Sequence, residues 1–227
     1  MARARARLLL ASATALIGCV SANLPKPAAQ NLYALDPTAA AGGTPAPGAR
    51  TPIALAPLRA APGLEGHGMI YVPREHEVSY FAHSAWVDTP GHMLAPLLAR
   101  ALEATGALEV VQDAASEPPA RLFLETQILH LEQDFSVRPS RVRLELRIRL
   151  VDALARRILG DRVFLAVEPA AADDPYGGVV AANAAAARLL ADVAATCAGW
   201  AQGAPPTSTL GSPGPPHAST ARAAPDG

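Results

Sequence analysis

Between Ser140 and Asp152 apolar and charged side chains alternate almost perfectly. Val142, Leu144, Leu146, Ile148 and Leu150 share one phase; Arg141, Arg143, Glu145, Arg147 and Arg149 share the other. Successive side chains of a β-strand point to opposite faces of the sheet, whereas a helix would scatter this pattern around its axis. The stretch therefore predicts a half-buried strand, with the apolar phase in a core and the arginines in water. A sheet with one face at least partly wet has an antiparallel component, because all-parallel sheets are covered on both faces.

The preceding run, Arg121–Phe135, predicts a long neighbouring strand, but its apolar residues change phase. Leu122, Leu124 and Ile128 fall on one side, and Leu129, Leu131 and Phe135 on the other. A bulge near Ile128–Leu129 reconciles the two halves. Thr51–Ala60, Met69–Val72, Glu77–Phe81, Leu108–Gln112 and Arg162–Glu168 read as shorter extended pieces, with Asp152–Gly160 as the connection before the last. Asp88-Thr89-Pro90 is a helix start, combining capping side chains with a proline suited to the first turn. Leu94, Leu97, Leu98, Ala101 and Leu102 then recur at helical spacing, and Gly106 marks the stop. Asp173-Asp174-Pro175 opens a longer, Ala-rich helix to about Gln202. Val179, Asn183, Ala186, Leu190, Val193, Cys197 and Trp200 would line its buried face. The sum is an α/β fold: a mixed, largely antiparallel sheet of five or six strands with two principal helices.

The N-terminus follows a different logic. Arg3, Arg5 and Arg7 precede an apolar stretch from Leu8 to Gly18, broken only by Ser12 and Thr14. At about 11 residues it is too short for a bilayer span of roughly 20, and it fits the apolar region of a secretory signal. It ends in Leu16-Ile17-Gly18-Cys19, which resembles a bacterial lipobox, in which the cysteine is lipidated and becomes the mature N-terminus. Four regions follow: a lipoprotein signal peptide at 1–18, a lipidated N-terminus and tether at 19–50, a body at 51–202, and a Pro-rich tail at 203–227 expected to be disordered. Within the tether, Asn31–Asp36 is an apolar island that could form a strand. Removal of residues 1–18 takes three arginines and no acid, leaving 16 bases against 20 acids. Acyl chains contribute roughly 0.8 kcal/mol per buried CH₂, so such a chain stays on a membrane surface while its body remains in water. Val20 occupies the place where an aspartate would signal inner-membrane retention in many Gram-negative bacteria, which favours the outer membrane. With Cys19 modified, Cys197 has no partner and reads as a buried structural thiol.

Balanced charge excludes a generally basic nucleic-acid binder. Lys26 is the only lysine, so lysine chemistry has one poor candidate, in the tether. There is no phosphate-cradling loop, no G-x-S-x-G elbow and no H-E-x-x-H, and the six histidines are scattered. No catalytic residue, cofactor or metal is expected. Two features remain. Arg141, Arg143, Arg147 and Arg149 form a row about 25–30 Å long. They either pair with Glu125, Gln127 and Glu132 of the adjacent strand or offer a docking face for an acidic partner or lipid phosphates. Tyr80, Phe81 and Trp86 concentrate aromatic surface in a chain only 4% aromatic. They are either a core plug or a contact for a partner protein or acyl chain.

The order of these pieces resembles the ABC-type transport auxiliary lipoprotein family. The matching segments are Tyr33-Ala34-Leu35-Asp36, Ile53-Ala54-Leu55-Ala56-Pro57, Met69-Ile70-Tyr71, Val78-Ser79-Tyr80-Phe81 followed by Ala85-Trp86, Pro90 leading into Leu94–Leu102, Leu122–Phe135, Val142–Asp152, and Arg162-Val163-Phe164. The resemblance implies a fold like an anticodon-binding domain or the TolB N-terminal domain. It also implies a non-catalytic envelope component, lipid-anchored at Cys19 and facing the periplasm. Its partners would be MCE-domain proteins and an ABC permease and ATPase, its cargo phospholipids or other hydrophobic molecules; a homo-oligomer is compatible. A structural envelope lipoprotein without a transport role, or an envelope hydrolase, are the alternatives. The Pro-rich tail and the Pro/Gly insertion at Thr38–Arg50 depart from the family pattern.

Overall fold

A computed structural model describes residues 29–36, 50–111 and 120–203. The signal peptide, Cys19, most of the tether and the tail beyond Gly203 lie outside the described residues. The described chain runs β1 (Asn31–Tyr33), β2 (Thr51–Leu55), β3 (Arg59–Ala60), β4 (Gly68–Arg74), β5 (Glu77–Trp86), α1 (Pro90–Ala104), β6 (Leu108–Val111), β7 (Leu122–Asp134), β8 (Arg141–Asp152), β9 (Arg157–Pro169) and α2 (Pro175–Ala201).

The predicted α/β architecture is present, with nine strands in one mixed sheet where the sequence suggested five or six. Strand β7 is its spine. On one side it forms a long antiparallel ladder with β8, which pairs antiparallel with β9. On the other side three shorter strands lie along it in parallel: β2 at Leu122–Leu124, β3 at Gln127–Ile128 and β4 at Glu132–Asp134. Beyond them β6 pairs with β2, and β5 and β1 continue from β4. The anticipated phase change in β7 is a register shift between Ile128 and His130. It lets Leu124, Ile128, Leu131 and Gln133 all reach the buried side.

Three elements differ most from their expected bounds. Thr51–Ala60 is two strands, because Ala56–Leu58 leaves the ladder around Pro57, which has no N–H to donate. Strand β5 runs on past Phe81 to Trp86, carried by pairing with β4 and β1 through residues of weak strand propensity, Ala82 to Ala85. Strand β9 begins at Arg157, not Arg162, so that the connection after β8 is only Ala153–Arg156, with Arg156 at φ +50°.

Both helices start where the capping residues predict. The Asp174 carboxylate accepts from Gly177 N–H at 2.7 Å, and Thr89 Oγ1 accepts from His92 N–H at 3.4 Å. Helix α2 packs on β8 and β9, over Leu144, Leu146, Ile148 and Leu150, all fully buried, whereas α1 packs against α2 and β6. Two close approaches fix α2 on the sheet. A Cβ on Gly160 would lie 2.2 Å from the Trp200 ring, and one on Gly178 would lie 2.1 Å from Gln133 Oε1. Helix α2 is long and apolar enough to cross a membrane, but 56% of the relevant stretch is buried in the protein, which accounts for its apolarity as core packing.

The apolar island Asn31–Asp36 is joined to this body. Strand β1 pairs in parallel with Ser84–Trp86, and Leu35 is buried. Asn183 of α2, placed on the buried helix face by its spacing, holds the backbone that follows. Its Oδ1 accepts from Asp36 N–H at 2.6 Å, and its Nδ2 donates to Ala34 C=O at 3.2 Å. The folded body thus takes in Asn31–Asp36 as well as the region from Thr51 onward.

Candidate interaction surface

Because both helices lie on one side, the other side of β7, β8 and β9 is open among the described residues. The arginines of β8 point there, and each meets a carboxylate. Arg141 bonds Asp134 at 3.0 Å; Arg143 bonds Glu145 and lies 3.8 Å from Glu132. Arg147 and Arg149 converge on Asp161 of β9 at 2.9 and 3.0 Å, and Arg149 also reaches Glu125 at 3.5 Å. Of the partners the sequence suggested, Glu125 and Glu132 engage. Gln127 stands opposite Arg147 in register without a bond to it, and Asp134 and Asp161 take up the remaining guanidiniums. Sequence reasoning missed Asp161 because that residue falls between the expected connection, Asp152–Gly160, and the expected strand, Arg162–Glu168, in a run without alternation.

The electrostatics follow from these contacts. Two guanidiniums, Arg147 before Arg149, hold the Asp161 carboxyl below its usual range against a desolvation cost. At Asp134 burial pushes upward, and the hydrogen bonds from Ser136 together with Arg141 outweigh it, so the group stays acidic. At the end of the ladder Asp152 accepts from Arg121 Nη2 at 2.6 Å and from Ala155 N–H at 2.9 Å. Its pKa is lowered to about 2, chiefly by the Arg121 bond. The open face is thus a lattice of ion pairs with little free charge.

Apolar walls flank that lattice. The odd-numbered residues of β9, Val163, Leu165 and Val167, are exposed on its outer rim, and Val78 of β5 is exposed on the opposite side. Between them runs an open trough of about 810 Å³ whose floor carries His130, Glu132, Arg141 and Arg143. A smaller depression of about 370 Å³ lies beside Arg147 and Arg149, where Ala56–Leu58 leaves the sheet.

The three aromatics singled out in the sequence separate in the fold. Trp86 fills the core and presents no surface to a partner. Phe81 is half-buried and joins Tyr71 and Phe135, with ring centroids 4.6 and 6.2 Å away. Tyr80 points the other way, half exposed, and its hydroxyl donates to Gly63 C=O at 3.1 Å. Among the described residues no group of three His, Cys, Asp or Glu side chains is arranged to hold a metal ion. Cys197 is buried, and desolvation pushes its thiol up to about 12. Cys19 lies outside the described residues.

The body is two-layered: helices cover one sheet face, and the other is a broad ion-paired surface with apolar rims. The chain belongs to the ABC-type transport auxiliary lipoprotein component family, whose model matches residues 33–194. No curated protein matches the chain. Among solved structures it is similar to protein XCC0632 from Xanthomonas campestris, at 18% identity and a TM-score of 0.65, covering 76% of this chain and 97% of that one. It is also similar to an uncharacterized protein at 12% identity and a TM-score of 0.59 (74% and 97% covered). A third is the hypothetical protein CT253 from Chlamydia trachomatis, at 12% and 0.50 (67% and 98% covered). At these identities the likeness concerns the fold. Family membership makes the chain an auxiliary component of ABC-type transport and a lipoprotein of the bacterial envelope.

Proposed function

We propose that the protein is a non-catalytic subunit, anchored through acyl chains on Cys19 and facing the periplasm from the outer membrane. There it holds MCE-domain and ABC permease–ATPase partners in place while phospholipids or similar hydrophobic molecules cross the envelope. The observation that carries this reading is the family match over residues 33–194 downstream of the Leu16-Ile17-Gly18-Cys19 tetrad. The docking of Asn31–Asp36 supports it. The chain from Cys19 to Gln30 reaches at most about 40 Å fully extended, so a body gripped at Asn183 stays close to the membrane that holds the lipid. Tethering raises the effective concentration of surfaces that must meet. The trough floored by Arg141 and Arg143, with Arg147, Arg149 and the exposed Tyr80 beside it, is the surface assigned to those partners.

The test is Cys19→Ala in the native host. The variant is expected to leave the membrane fraction and to fail to complement an envelope-permeability defect, while affinity purification of the wild-type chain recovers MCE-domain and permease subunits. Full complementation by the released form would refute the anchoring role. Recovery of peptidoglycan-associated proteins alone would replace transport with a structural role. Turnover of an ester or glycan substrate by the purified chain would refute the non-catalytic reading.

A further inference from the structure

Among the described residues β9 is an edge strand, paired with β8 alone. Ala170 N–H turns inward to Ser140 C=O at 2.8 Å, whereas Val167 C=O turns outward and accepts from Arg188 of α2 at 3.1 Å. With a period of two, the backbone groups of Val163 and Leu165 also face outward, along an edge whose exposed side chains are apolar: Val163 46%, Leu165 57% and Val167 38% accessible. Natural sheets guard such edges with charges, prolines or bulges. Here Pro169 guards the far end, its missing N–H on the outward side, and the stretch before it is left open.

The sequence of that stretch is a palindrome in chemistry: Arg162-Val163-Phe164-Leu165-Ala166-Val167-Glu168. From it we infer that β9 pairs antiparallel with β9 of a second copy about a two-fold axis at Leu165. Leu165 then faces its own counterpart, Val163 faces Val167 in both directions, and Phe164 faces Ala166. Each Arg162 meets the partner's Glu168, so both charge pairs are satisfied by one symmetry operation. An isologous interface requires this self-complementarity. Registers shifted by two residues lose it: about Val163, Arg162 faces Phe164, and about Val167, Glu168 faces Ala166. The helix beside the edge leaves room. Ala184 and Ala191, one turn on either side of Arg188, are small and exposed, and Arg188 is itself on the surface, paired to Glu168 at 2.5 Å. In the dimer Arg188 gives up Val167 C=O to the new ladder and keeps Glu168 as a shared acid. Two meanders become one continuous sheet, and the exposed valines and leucines cover one another.

The test uses the full-length protein in cell membranes with a short bis-maleimide cross-linker. Leu165→Cys is expected to give a covalent homodimer. Ile158→Cys, equally exposed on the same strand but far from the axis, is expected not to, and the wild-type chain with buried Cys197 serves as the blank. Added to Leu165→Cys, Arg162→Glu sets like charges against Glu168 twice and should lower the yield about tenfold. Arg162→Glu with Glu168→Arg should restore most of it, a rescue that misfolding would not produce. Failure of Leu165→Cys to cross-link, equal cross-linking through Ile158→Cys, capture of a different protein at Leu165→Cys, or a double swap no better than the single one would each overturn the pairing. The readout is independent of transport, so it stands or falls separately from the role proposed above.

Discussion

The two faces of strand β8 are made by the same twelve residues and solve opposite problems. On the helix side Val142, Leu144, Leu146, Ile148 and Leu150 disappear from solvent beneath α2. On the open side each arginine is matched to a carboxylate while remaining at least one third accessible. Burial of one leucine removes apolar surface worth roughly 2–3 kcal/mol from water, whereas an exposed ion pair contributes about 0–1 kcal/mol. The helix side therefore determines whether the sheet exists. The open side is free to be specified by what it must touch.

The comparison breaks most readily at Leu146. It is fully buried at the centre of the ladder, between Ile128 of β7 and Phe164 of β9. Leu146→Ala removes its transfer free energy and leaves a cavity, so it is expected to cost about 2–5 kcal/mol in chemical denaturation. A loss below about 1 kcal/mol would mean that the helix side is not where stability resides.

A second, smaller effect separates the ends of the ladder from its middle. Asp152 ties Arg121 to the Ala153–Arg156 turn and carries a pKa of about 2 against an ordinary 3.8. The folded value lies below the unfolded one, so the contribution is complete above about pH 4. It disappears as the pH falls through about 2. In Asp152→Asn the loss of stability between those limits should be visibly shallower than in the wild type, followed by thermal melts across that range. An unchanged acid limb would show that the ion pair is not coupled to folding.

Much of this was legible in the sequence because alternation reports burial directly. The arginine phase, the phase switch at Ile128 and both helix starts all came from patterns whose physical cause is local. What escaped was set by pairing partners far along the chain. The outward run of β9 from Arg157 mixes Ile158, Leu159, Gly160 and Asp161, and carries no clear alternation. It is a strand because β8 continues to Asp152 and offers it a ladder. Gly160 reads as a turn in sequence, yet in the fold it makes room for the Trp200 ring. Likewise the density of Tyr80, Phe81 and Trp86 suggested one cluster. Neighbouring strand residues must face apart, so Tyr80 and Phe81 serve different surfaces. The Cys19 motif lies outside the described residues and rests on chemistry that no fold displays.

The smallest effect sharpens the comparison most. Arg143 belongs to the trough floor, pairs with Glu145 and faces Glu132, and is 39% exposed along its side chain. Water screens both contacts, and ordering a long side chain offsets part of the Coulomb gain. Arg143→Ala is therefore expected to shift stability by less than about 1 kcal/mol. If the open face is a docking surface, the same change should weaken recovery of partner subunits, because it uncovers Glu132 and Glu145 and makes the spot more negative without disturbing the core. Stability unchanged with partner recovery lost would assign the open face to recognition. A stability loss comparable to that of Leu146→Ala would make the ion-pair lattice a structural element and remove the division of labour between the two faces of β8.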